Sequence, residues 1–64
     1  MYTLQRVLEL TKLPEDFCYV IYKRGRYVDE GILSDLLHSD TRIRIDRYSL
    51  EIDDYGLYLL LHIA

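Results

Sequence analysis

The chain has one cysteine, one proline, three glycines and no tryptophan. Each scarcity excludes something. Cys18 has no second cysteine in the chain, so there is no intramolecular disulfide, and a reducing, cytoplasmic setting is expected. Flanked by Phe17, Tyr19, Val20 and Ile21, with no basic neighbour, it is expected to be a small buried hydrophobe and not a reactive thiol. Cys18, His38 and His62 are the candidate metal ligands, but they lack any C-x-x-C or H-x-x-x-H spacing, so no metal is expected. Gly25, Gly31 and Gly56 stand alone, which leaves no glycine-rich phosphate loop and no expected cofactor. The longest apolar run, 57–61, falls far short of the roughly 20 residues that cross a bilayer. Residues 1–6 have no basic segment leading into an apolar run, so no signal peptide is expected.

What is present is a dense set of apolar residues: half of the 64 are hydrophobic. That supports a folded domain, expected to be single and to span 1–64. Chains of this size bury only about 60% of their unfolded surface, and many rely on a disulfide, a metal or a partner. With the first two disfavoured, association with a protein partner or a second copy becomes the expected support. Eleven acidic residues against eight basic give a net charge of −3. Nucleic-acid affinity comes from concentrated positive charge, so a general nucleic-acid binder is disfavoured.

Residues 3 to 13 predict a helix, with Leu4, Val7, Leu8 and Thr11 on one stripe, Thr3 as N-cap and Pro14 ending it. Residues 17 to 23 predict a strand that is aromatic and β-branched on both faces. Arg24-Gly25 supplies a two-residue hairpin turn, pairing Tyr22 with Tyr27 and Ile21 with Val28. Gly31 ends or bulges the second strand. Ile32, Leu33, Leu36 and Leu37 then fit a short helix, with Ser34 as a candidate cap. Tyr48, Leu50 and Ile52 alternate with polar residues, Asp53-Asp54-Tyr55-Gly56 has turn chemistry, and Leu57, Leu59, Leu61 and Ile63 resume the alternation. The resulting register sets Ile52 opposite Leu57, Leu50 opposite Leu59 and Tyr48 opposite Leu61. Ile43 and Ile45 are out of phase with this set, which requires a bulge near Asp46-Arg47. The expected fold class is α+β in the order α-β-β-α-β-β: an antiparallel sheet of two hairpins, the N-terminal helix packed on one face and part of the other face open.

Catalysis is not expected. Asp53-Asp54 is turn chemistry, Glu15-Asp16 and Asp29-Glu30 suit solvated loops, and no serine or cysteine sits in a nucleophile motif near His38 or His62. The abundance of tyrosine is the feature most above background, with seven in the chain. Tyrosine and arginine anchor protein interfaces, so Tyr19, Tyr22, Tyr27, Tyr55 and Tyr58, with Arg24, Arg26, Arg42 and Arg44, are the expected partner-binding residues. The basic clusters, Lys23, Arg24 and Arg26 at the first hairpin tip and Arg42, Arg44 and Arg47 as a second run, also read as edge and turn charges that discourage aggregation, or, if the two clusters meet, as a weak nucleic-acid patch.

The stretch Tyr22-Lys23-Arg24-Gly25-Arg26-Tyr27, then Gly31-Ile32-Leu33-Ser34-Asp35-Leu36-Leu37, and the closing hairpin from Ser49 to Tyr58 give a layout that resembles the small α+β accessory proteins encoded by bacteriophages and prophages. The resemblance implies a binder that blocks or redirects a host protein, such as a CRISPR nuclease or another defence component. It carries over no residue role. The expected function is a non-catalytic protein-binding module, possible as a phage-type, anti-CRISPR-like inhibitor or regulator, with a self-associating homodimer and a weak nucleic-acid binder as alternatives.

Overall fold

The computed structural model describes residues 1–39 and 42–64. The elements run β1 (Tyr2–Thr3), α1 (Leu4–Thr11), β2 (Cys18–Lys23), β3 (Arg26–Ile32), α2 (Leu33–Ser39), β4 (Arg44–Asp53) and β5 (Gly56–Ile63). The strands form one five-stranded sheet in the order β1-β4-β5-β2-β3.

Local chemistry accounts for each boundary. Thr3 caps α1, its Oγ1 accepting from the Arg6 backbone N–H at 3.1 Å. The helix ends at Thr11, earlier than expected, because Lys12 turns into the left-handed region (φ 56°) and donates its N–H to the Leu8 carbonyl at 2.8 Å. Pro14 follows two residues later and disfavours continuation. Arg24 and Gly25 both have positive φ (53° and 78°), as a type I′ hairpin turn requires. In the second hairpin Asp53 Oδ1 accepts from the N–H groups of Tyr55 (2.8 Å) and Gly56 (3.1 Å), fixing a tight turn at Asp54 and Tyr55.

The β4–β5 register is the expected one: Ile52 faces Leu57, Leu50 faces Leu59 and Tyr48 faces Leu61, with the register shift falling between Ile45 and Arg47. Three expectations about the sheet need correction. The sheet is mixed, not antiparallel throughout, because the two hairpins join through parallel pairing of β2 with β5, Tyr19 beside Leu59 and Ile21 beside Leu61. Residues 2–3 also add a short fifth strand on β4, with Tyr2 opposite Ile45. In the first hairpin Tyr22 does face Tyr27, but Ile21 faces Asp29, because Val28 is the extra residue of a bulge.

Both helices supply the same core. Leu4 and Val7 of α1 and Leu33 and Leu36 of α2 are buried with Tyr19 and Ile21 of β2, Ile45 of β4, and Leu59 and Leu61 of β5. The helices therefore cover one side of the sheet and leave the other uncovered. Ser34 is not the cap of α2: the helix begins at Leu33, and the N–H groups of Leu33 and Ser34 donate to the carbonyls of Phe17 (2.9 Å) and Glu15 (2.8 Å). The loop before β2 thus satisfies groups that a capping side chain otherwise would. No described helix is long and apolar enough to cross a membrane.

Candidate partner-binding face

Side chains alternate across a strand, so the core positions Tyr19, Ile21, Leu59 and Leu61 fix what points the other way. On the uncovered face β2 presents Cys18, Val20 and Tyr22, and β5 presents Tyr58, Leu60 and His62. The register aligns these in rows. Arg47, His62, Tyr22 and Tyr27 form one row across four strands, and Ser49, Leu60, Val20 and Glu30 form the next. Beyond them Glu51 lies beside Tyr58, and Cys18 beside Ile32.

The aromatic groups of the first row touch edge to face. Tyr22 and Tyr27 have ring centroids 6.4 Å apart at 84°, and Tyr22 and His62 are 6.1 Å apart at 61°. Such geometry sets the electropositive edge of one ring against the face of the next. The Tyr27 hydroxyl donates to Glu30 Oε1 at 3.0 Å. Partial burial and the neighbouring carboxylates raise the phenol pKa of Tyr27, through Glu30, and of Tyr58, through Glu51 and Asp53. Both rings are therefore neutral donors at physiological pH. Val20 and Leu60 are half-buried side by side at the centre, and the charged residues Arg47, Glu30 and Glu51 stand around them.

Of the expected partner-binding residues, Tyr22, Tyr27 and Tyr58 meet on this face. Tyr19 does not: only 4% exposed, it is a core residue on the helix side. Tyr55, 99% exposed at the tip of the second hairpin, lies at the margin of the face, where it lines a shallow concavity with Cys18, Val20 and Tyr58. Arg24 lies in the first hairpin turn and Arg26 just after it, and Arg24 lines one concavity with Arg47, His62 and Asp46. Arg44, at the start of β4, and Arg42, just before it, are exposed and do not line that concavity. The arginine clusters therefore meet only in part, through Arg24 and Arg47, with Asp46 between them in charge.

Cys18, expected to be buried, is exposed on the open face. Compared with known proteins, the chain finds no match. No family model, curated protein or solved structure is similar to it. The face stands on its own geometry.

Two residues of the face not among the expected partner-binding set, Val20 and Leu60, did leave a signal. Val20 and Leu60 are apolar on the parity opposite to the core set, the pattern of a strand whose second face is also meant to meet something. Among the described residues no three His, Cys, Asp or Glu side chains lie together in a group that could hold a metal ion.

Proposed function

We propose that the chain is a non-catalytic protein-binding module whose recognition surface is the uncovered face of the sheet. The observation that carries this reading is the alignment of Tyr22, Tyr27, His62 and Arg47 in one row beside the apolar pair Val20 and Leu60, with no helix over them. An apolar centre with aromatic side chains and a charged rim is the usual anatomy of a protein interface. A nucleic-acid surface has the aromatic residues but adds an excess of cations; here Glu30 and Glu51 share the face with Arg47, and the chain is net acidic. The inhibitor role implied by the phage-protein resemblance is narrower than this proposal, which is of binding alone.

The test is site-specific photo-crosslinking in cells that express the chain. A crosslinking amino acid at Tyr27 or Tyr58 should trap one discrete protein, and the same group at Gln5 on the helix side should not. Adducts to nucleic acid alone, or equal trapping from both sides, would end the reading.

A further inference from the structure

The two edges of the sheet are unlike. β3 is broken by the bulge at Val28 and carries the adjacent acids Asp29 and Glu30, features that oppose pairing with another strand. β4 is different. β1 covers it only at Arg44 and Ile45, and among the described residues no strand pairs with the remainder of that edge. The free stretch runs straight from Arg47, just past the bulge, to Asp53 at the turn.

The hairpin fixes which backbone groups are free. A two-residue turn makes Asp53 and Gly56 a hydrogen-bonded pair, and such pairs alternate along an antiparallel ladder. Asp53, Glu51, Ser49 and Arg47 therefore bond inward to β5. The N–H and C=O groups of Tyr48, Leu50 and Ile52 point outward. Two of those residues are also large apolar side chains in the open, Leu50 at 53% and Ile52 at 74% exposure, on the core side but beyond the helices.

The geometry points to a second copy of this chain as the occupant of that edge, in an antiparallel two-fold pairing centred on Leu50. The free stretch 47–53 has Leu50 as its midpoint, so the two copies use all of it. Leu50 then faces Leu50, and Tyr48 faces Ile52 on both sides. Arg47 of each copy stands opposite Asp53 of the other. The charge pattern of β4 is complementary to itself when reversed, and the outward backbone groups fall in register at Leu50 and at Tyr48 with Ile52. Neighbouring centres are worse. Centring on Glu51 opposes two carboxylates; centring on Ser49 drives Asp53 onto Ile45, where β1 already sits, and sets Ile52 against Asp46. The pairing joins two sheets edge to edge and leaves both recognition faces uncovered. It shares only Arg47 with the row that carries the proposed function, and its central residues Tyr48, Leu50 and Ile52 lie on the other side of the sheet, so either can fail alone.

Sedimentation velocity across low-micromolar to submillimolar protein tests the pairing. The mass should rise from one chain toward two, and Leu50→Lys, which opposes two ammonium groups at the axis, should weaken dimerisation about tenfold or more. Register is read by cysteine crosslinking in a Cys18→Ser background. Leu50→Cys should form a disulfide-linked dimer on mild oxidation, whereas Ser49→Cys and Glu51→Cys should not. A protein that stays monomeric throughout, a dimer indifferent to Leu50→Lys, or crosslinking at 49 or 51 in place of 50 overturns the proposal. Circular dichroism of each variant shows that the fold is kept.

Discussion

Gly31 lies under the ring of Tyr19: a Cβ placed on this glycine would meet Tyr19 Cε1 and Oη at 3.3 Å. The two residues are cross-strand partners in the β2–β3 hairpin. Tyr19 is the largest of the buried core residues, and the bare backbone of β3 gives its ring room to lie across the strand. An added side chain has to displace a ring packed against the core. Gly31→Val is expected to lower stability by about 1–3 kcal/mol, the usual cost of overpacking. Urea denaturation measures it, and an unchanged midpoint would show that the ring has room to move.

Tyr19 also predicts an alkaline titration. Burial, then the carboxylates of Asp29 and Asp35, raise its pKa above the ordinary phenol value. The folded state therefore holds the proton when the unfolded state has already lost it. Stability contributed by the neutral phenol is present below about pH 10, the unfolded value, and falls as pH rises from there through the folded pKa. Tyr27 and Tyr58 are raised as well, but on the open face; absorbance titration near 295 nm should show one late-ionising tyrosine whose step coincides with unfolding. Tyr19→Phe should remove that late component and flatten the alkaline loss of stability.

The end of α1 is set by a residue in an unfavourable conformation. Lys12 adopts φ 56° to close the helix on the Leu8 carbonyl, a role that glycine fills without steric cost. Lys12→Gly is expected to raise stability by about 0.5–1 kcal/mol, the left-handed penalty less the extra chain entropy of glycine. A lowered melting temperature would count against the strained cap.

Asp53 organises the second turn by accepting two backbone N–H bonds. Asp53→Ala should cost about 1–2 kcal/mol, and Asp53→Asn, which keeps an acceptor oxygen, should cost less than half of that. Chemical denaturation of both variants separates the hydrogen bonds from the charge.

The features legible in the sequence were those carried by neighbouring residues. Thr3 as cap, Arg24-Gly25 as turn and the β4–β5 register all follow from local chemistry or from one alternation continued through a turn. The phase conflict between Ile45 and Tyr48 even located the bulge before Arg47. What escaped was long-range. In β2 the run from Phe17 to Tyr22 is apolar on both parities, so alternation could not choose which side Tyr19 and Cys18 face. It was the parallel partner β5, contributing Leu59 and Leu61, that assigned Tyr19 to the core and Cys18 to the surface. The Val28 bulge left no mark either, because Val28 and Asp29 read equally well as the partner of Ile21 until the ladder is drawn. For the candidate site, the tyrosines announced themselves by number, whereas the rows that gather three of them come from the same parallel contact.

The position of β5 has a consequence for the order of assembly. It lies between β4 and β2, so segment 56–63 alone ties one hairpin to the other. A ribosome releases α1, α2 and strands β1 to β4 before it releases this one. Until then only the first hairpin can form, β4 has no hairpin partner, and the apolar side chains of α1 and α2 wait beside a half-built sheet. Closure is therefore a late, single event, and that interval is when the growing chain is most open to capture by chaperones or by its own neighbours.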